Sequence, residues 1–309
     1  MAPKILHKLD QHIGSVNAGV FDSTGEYIFT GGQDKTIQLC NARSGRLVQS
    51  YDGHGWAIQD LAVSEDSSRL ASCGGDRSVF LWDVDTAQVS RKFTQHQQRI
   101  DCVAINDSAS VVVSGSFDKT VMVWDARSSQ RTPLQILKDS RDGVSSVCLT
   151  GAEIVAGSLD GAVRTYDIRM GRVLVDELGC PVVSVKSIAS TVYTDQQTKC
   201  LLIGCMDGSI QLFDSCTAVS LAAFSGHKCK EYKIRCDANG KMIASGSEDN
   251  FVYLWDILQD GESGKFSFRL PGHSGIVNNV ALNPCSSTDD SKRYSMVSTA
   301  ADGSVIIWE

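Results

Sequence analysis

The chain contains 11 cysteines and not one C-x-x-C pair, so neither a zinc knuckle nor a thioredoxin-like centre has support. The cysteines are odd in number and scattered through strand-like segments. The first twelve residues, MAPKILHKLDQH, lack the apolar core of a signal peptide, and no run approaches the length of a membrane span. Together these absences predict reduced, buried thiols in a protein of the cytoplasm or nucleus. A surplus of positive charge is also missing. The net charge of -7 works against general attraction to nucleic acid or anionic membrane. No stripe interleaves aromatic residues with Lys and Arg, as sequence-specific RNA binding would favour. Walker, G-x-S-x-G, H-E-x-x-H and kinase signatures are all absent. No catalytic residue, metal ligand or cofactor is therefore assigned.

What the chain does have is self-similarity. In the stretch GGDRSVFLWD (74–83), Asp76 stands in a glycine-rich turn six residues before Trp82, and it reads as either a catalytic carboxylate or a turn residue. The acidic residue recurs at Asp34, Asp76, Asp118, Asp160, Asp207, Asp249 and Asp302, in steps of 42, 42, 42, 47, 42 and 53 residues. Six residues after each stands Cys40, Trp82, Trp124, Tyr166, Phe213, Trp255 or Trp308. Twenty-two before stands His12, His54, His96 or His227, and His273 lies 29 before Asp302 across a polar insertion at 285–293. Four residues before each aspartate stands Thr30, Ser72, Ser114, Ala156, Ile203, Ser245 or Ser298. Seven copies favour the structural role over the catalytic one. Each unit also reads as four short strands separated by turns; in the second these are 58–63, 69–73, 79–83 and 88–93.

Four strands per repeat suggest propeller blades, and the GH and WD dipeptides resemble the WD-repeat family over essentially the whole chain. The resemblance implies an all-β, seven-bladed propeller spanning 1–309 as a single domain. It also implies hydrogen-bonded His–Ser–Asp–Trp tetrads in blades two (His54, Ser72, Asp76, Trp82), three (His96, Ser114, Asp118, Trp124), six (His227, Ser245, Asp249, Trp255) and seven (His273, Ser298, Asp302, Trp308). Blade one substitutes Cys40 for Trp. Blades four and five lose three of the four members together, which predicts apolar packing around Tyr166 and Phe213. The chain stops in the third strand of the seventh unit, so residues 4–9 (KILHKL) are expected to supply the fourth strand and cover its edge.

The segments 141–147, 157–171 and 226–236 are similar to the mitogen-activated protein kinase organizer family of single-propeller scaffolds. That resemblance implies a non-catalytic, monomeric protein within larger assemblies of kinase-cascade components, with the spliceosome as an alternative setting. Family resemblance also places the residue before each turn aspartate, and positions three and five after each histidine, on the top face. Phe117, Leu159 and Met206 would form an apolar arc there, with Arg99, Asp101, Arg141, Lys230 and Tyr232 around it; the alternative is that the three apolar side chains plug the channel. Trp124-Asp125-Ala126-Arg127 and Tyr166-Asp167-Ile168-Arg169 resemble the motif of cullin-type ligase receptors, making Arg127 and Arg169 candidate adaptor contacts.

Overall fold

Each repeat concentrates its apolar residues on three inner strands and leaves the fourth to solvent. In blade two the strands are Ile58–Val63, Arg69–Gly74, Val79–Asp83 and Val89–Phe93. The third, sandwiched between its neighbours, is buried at four of its five positions, while the fourth is mostly exposed. A computed structural model describes residues 3–190, 198–215, 217, 219–260, 264–285 and 296–309. From residue 286 onward, the insertion expected at 285–293 lies outside the described residues.

The strands form seven four-stranded antiparallel sheets. The fold is an all-β, seven-bladed propeller, with one helical turn at Ile257–Asp260 in blade six. Neighbouring blades meet through their innermost strands, and Val16–Phe21 of blade one packs on Val277–Leu282 of blade seven. Ile5–Leu9 is the outer strand of blade seven, paired with Val305–Trp308 in the register Ile5↔Trp308 to Leu9↔Val305. Lys4 and Glu309 extend that ladder through reciprocal backbone bonds of 3.0 and 2.7 Å. The ring closes as the sequence predicts.

A β-bulge lies near the start of the innermost strand in six blades. A bulge turns one side chain out of the pleat, and here it aims that side chain at the next blade. Asn17 Nδ2 donates to Ile58 O at 2.8 Å, and Asn278 Nδ2 to Val16 O at 2.9 Å. The next position adds a second stitch: Asp60 Oδ2 accepts from Val103 N, Asp237 Oδ2 from Leu282 N, and Ser146 Oγ from Val185 N. The polar residues of the innermost strands thus supply inter-blade hydrogen bonds that the sheets themselves cannot make.

Candidate functional site

The turn aspartates share one task in all seven blades. Each carboxylate accepts from the backbone N–H two residues on, at 2.8–3.4 Å, from Thr36, Ser78, Thr120, Ala162, Ser209, Phe251 and Ser304. This local closure tightens the turn. The intervening residue has a positive φ every time: 70° at Lys35, 60° at Arg77, 70° at Lys119, 83° at Gly161, 81° at Gly208, 71° at Asn250 and 85° at Gly303. Three turns put the strained conformation on Lys or Arg, where glycine would adopt it freely.

What the second carboxylate oxygen does differs from blade to blade. In blade two, Trp82 Nε1 donates to Ser72 Oγ at 2.7 Å, Ser72 Oγ lies 2.7 Å from His54 Nε2, and His54 Nδ1 lies 2.9 Å from Asp76 Oδ2. The indole can only donate, so the chain has one consistent direction: Trp to Ser, Ser to His, His to Asp. Blade three repeats it through Trp124, Ser114, His96 and Asp118 at 2.8, 2.8 and 2.9 Å. Burial pushes the Asp76 and Asp118 carboxyls up, but the bonds from the histidines and from backbone N–H groups outweigh it and hold both below the usual carboxylate range. In blade one, His12 joins Thr30 and Asp34, each at 2.8 Å, and Cys40 bonds Gln11 instead.

Two of the expected tetrads are not built as the sequence suggests. In blade seven, Trp308 and His273 meet at Ser298, but His273 Nδ1 contacts Ser304 Oγ at 2.7 Å and stands 3.8 Å from Asp302. Ser304 therefore relays the bond, with its Oγ 2.6 Å from Asp302 Oδ1. In blade six the chain is broken. Asp249 Oδ2 is taken by the Tyr253 hydroxyl at 2.7 Å and by Arg269 at 3.1 Å, Ser245 turns to Gly246 O, and Trp255 donates to Ser225 O. His227 Nδ1 is left buried without a hydrogen-bond partner, and burial lowers its pKa to about 4. Blade four carries a corresponding correction. It is not held by apolar packing alone, because Arg164 grips Asp160 with two bonds of 3.1 and 2.8 Å, both side chains nearly buried. Tyr253 and Arg164 occupy the same repeat position, four after the aspartate. Phe80, Met122 and Ile306 stand there in blades two, three and seven and cannot compete for the carboxylate.

The central channel is crossed by charge. Arg235 of blade six forms an ion pair with Asp60 of blade two, and its guanidinium also donates to Asp101 O at 3.0 Å. Lys233 Nζ donates to the same carbonyl at 2.8 Å, and burial lowers the pKa of this lysine. A cavity of about 330 Å³ is lined by Arg235 and Asp60 themselves, with Lys186, Asp237 and Asn279 among others. Asp101 is thus a buried wall residue salt-bridged to Arg99 at 3.1 Å, and not an open partner contact.

The remaining top-face candidates divide. Phe117 is 37 % exposed and carries the Arg99 guanidinium over its ring at 4.9 Å. Leu159 and Met206 are half-buried, and Met206 packs on the Val183, Cys229 and Ile234 cluster. Of the three, Phe117 is the most exposed. Arg141 and Lys230 are exposed, and Tyr232 is exposed on a loop whose N–H groups at Lys230, Glu231 and Tyr232 converge on Glu248 Oε1. Sequence reasoning missed Trp56, which is 63 % exposed. A Cβ at Gly75 would meet its indole at 2.3 Å, so the ring lies directly over the blade-two turn. A signal was available: of five tryptophans, Trp56 alone stands outside the repeat position. Arg127 and Arg169 are exposed at equivalent turns of blades three and four, on the opposite face, where Asp125 and Asp167 cap their N–H groups at 2.8 Å.

A ring of seven blades with His–Ser–Asp–Trp chains at its turns defines the WD40 class of propellers. The WD domain, G-beta repeat family matches residues 3–41, 45–83, 87–125, 218–256 and 264–309, passing over the span that holds blade four and most of blade five. The chain is 44 % identical to WD repeat domain-containing protein 83 of Homo sapiens, over 99 % of this chain and 91 % of that one. It is 31 % identical to the Dictyostelium discoideum homolog, over 97 % and 96 %. An uncharacterized WD repeat-containing protein of Schizosaccharomyces pombe is 41 % identical over 87 % and 88 %. The chain belongs to the WD repeat domain-containing protein 83 family, and with it to the propellers that serve as protein-interaction scaffolds.

Proposed function

We propose that this chain is a non-catalytic scaffold that assembles multiprotein complexes through the top face of its propeller. Trp56 carries the reading. The four tryptophans at repeat positions are buried to within 1 % exposure, while this one lies open on the turn of blade two. Exposed indoles of this kind are favoured anchors in protein interfaces, and Phe117 in the neighbouring blade, with the Arg99 guanidinium over its ring, adds a second exposed aromatic. Against catalysis stands the occupation of every turn carboxylate by its own backbone. The net charge of -7 favours proteins over nucleic acid as partners. By the resemblance of residues 141–147, 157–171 and 226–236, the complexes are those of a mitogen-activated protein kinase cascade, and the protein works in the cytoplasm and nucleus.

The test is quantitative affinity purification with wild type, Trp56→Ala and Phe117→Ala. Kinase-cascade proteins should be recovered with wild type and fall roughly tenfold or more with Trp56→Ala, while the melting curve stays unchanged. Recovery of small nuclear ribonucleoproteins in place of kinases would move the assignment to the spliceosome. Identical partner sets from all three proteins would reject the top face. Because Arg127 and Arg169 are exposed on adjacent blades, Arg127→Ala with Arg169→Ala is included. Loss of a ligase adaptor in that double variant alone would establish a cullin-type receptor.

A further inference from the structure

The outer strand of blade four, Arg172–Glu177, carries three exposed apolar residues in succession, where the outer strand of blade one has two, Leu47 and Val48, and that of blade three has Ile136. Its sequence RVLVDE puts Val173, Leu174 and Val175 in succession, exposed by 41, 63 and 50 %. Edge strands are normally protected by charges or proline. Blade two has VSRKF there, blade seven ILHKL, and blade six FRLP ending at Pro271. Exposed Ile168 and Met170 extend the apolar surface at the foot of this strand.

The backbone of the edge is free in a defined register. Leu178 N donates to Gly161 O at 2.8 Å, in line with the pairing of Arg172–Glu177 with Ala162–Asp167. Because N–H and C=O groups alternate in direction along an antiparallel strand, the even-numbered residues are committed to the sheet. Val173, Val175 and Glu177 point their backbone groups outward. Only antiparallel registers that place outward residues opposite one another can add a strand here.

We propose that this edge joins two copies of the chain, antiparallel about a two-fold axis at Leu174, so that blade four continues into the partner as an eight-stranded sheet. The sequence is chemically palindromic about that residue. Val173 lies opposite the partner's Val175 in a hydrogen-bonded pair, and Leu174 lies opposite the partner's Leu174 in the closer non-hydrogen-bonded pair. Arg172 lies opposite the partner's Asp176 on the same face as the two leucines, and the symmetry repeats that ion pair. Opposite charges directly across a ladder stabilise it, and like charges destabilise it. A second copy satisfies both ends of the strand at once. The contact is smaller than the roughly 1,600 Å² of a standard stable interface, so the dimer is a reversible one. It replaces the monomer expected from the sequence.

Sedimentation velocity on the full chain over a concentration series tests this, with melting curves as the folding control. Wild type should show a monomer–dimer equilibrium. Leu174→Lys and Arg172→Asp should each raise the dissociation constant about tenfold or more at unchanged melting temperature. The double exchange Arg172→Asp with Asp176→Arg, which restores opposite charges across the axis, should return it to within about threefold of wild type. Four results would overturn the proposal: a monomer up to roughly 100 µM, a dimer indifferent to Leu174→Lys, no rescue by the double exchange, or a foreign extended peptide filling the edge while the chain stays monomeric.

Discussion

Blades two and six have the same four residues at the same spacing, and they are built differently. His54, Ser72, Asp76 and Trp82 form an unbroken chain of hydrogen bonds. His227, Ser245, Asp249 and Trp255 do not touch one another in that way, and each of the last three finds a partner elsewhere. The difference lies outside the tetrad, four residues after the aspartate. Phe80 stacks on Trp82 at 5.5 Å between ring centroids and leaves the carboxylate to the histidine. Tyr253 stacks in the same way on Trp255 at 6.0 Å, but its hydroxyl reaches back and takes Asp249. One oxygen atom on an otherwise equivalent ring diverts the acceptor, and the buried histidine is the group that loses. Arg164 shows the same site at work in blade four, which has no histidine to lose.

Breaking the Asp160–Arg164 pair should have the largest effect. Arg164→Met leaves a nearly buried carboxylate without its counter-charge, and an expected loss of about 3–5 kcal/mol should appear in urea unfolding. Adding Asp160→Asn should recover most of it, because the stranded charge is removed. If the single variant costs less than about 1 kcal/mol, solvent reaches Asp160 and the blade does not depend on the pair.

Acidification separates the histidines next. Burial lowers both His227 and His273 to about 4 from the ordinary 6.5. Between those values the unfolded chain binds protons that the folded chain refuses, so stability is fully present above about 6.5 and falls as pH drops toward 4. A shift of that size corresponds to about 3 kcal/mol for each group. Burial lowers His12 as well, so His227→Phe should flatten the pH dependence of unfolding over this window by less than half. An unchanged slope would mean that His227 is protonated in the folded protein.

Aspartate deletions follow. Asp76→Ala strips His54 Nδ1, Gly55 N and Ser78 N of their acceptor and should cost about 1–3 kcal/mol. Asp249→Ala strips the Tyr253 hydroxyl and the half-exposed Arg269 side chain, which water can serve, and should cost about 1 kcal/mol or less. Equal losses would show that turn closure, shared by both blades, outweighs the tetrad.

Much of this was legible in the chain. The seven aspartates at near-constant spacing gave the blade count, and residues 4–9 read as a further strand just ahead of His12, which the structure pairs with Val305–Trp308. Asp76 was recognisable as a turn residue from its six copies. The contents of the channel were not legible. Arg235 and Asp60 are 175 residues apart, and nothing local in either repeat indicates that closing the ring brings them together. Asp101 was misplaced for a related reason, since the same repeat offset lands on a bulge whose side chain turns along the wall. Met206 was placed on the top face by family resemblance alone, and the small cluster of Val183, Cys229 and Ile234 that it packs on comes from two further segments.

The smallest expected change in stability is also the sharpest test of the blade-two and blade-six comparison. Tyr253→Phe removes only the hydroxyl that holds Asp249 and keeps the ring that packs on Trp255 and Phe266. The loss of one partly exposed hydrogen bond costs about 1 kcal/mol. If the freed carboxylate turns to the unpartnered His227 Nδ1, it restores a comparable amount, so net stability should stay within about 1 kcal/mol of wild type. The histidine reports the rearrangement directly. A carboxylate at hydrogen-bond distance favours the imidazolium, so the His227 pKa should rise from about 4 toward its ordinary value, measured by NMR titration of the ring protons. The acid sensitivity contributed by this residue should shrink with it. A variant that loses stability while His227 stays low would show that the loop at 227–235, drawn down onto Glu248, holds the imidazole out of reach. The position four after the aspartate would then mark the broken tetrad without causing it.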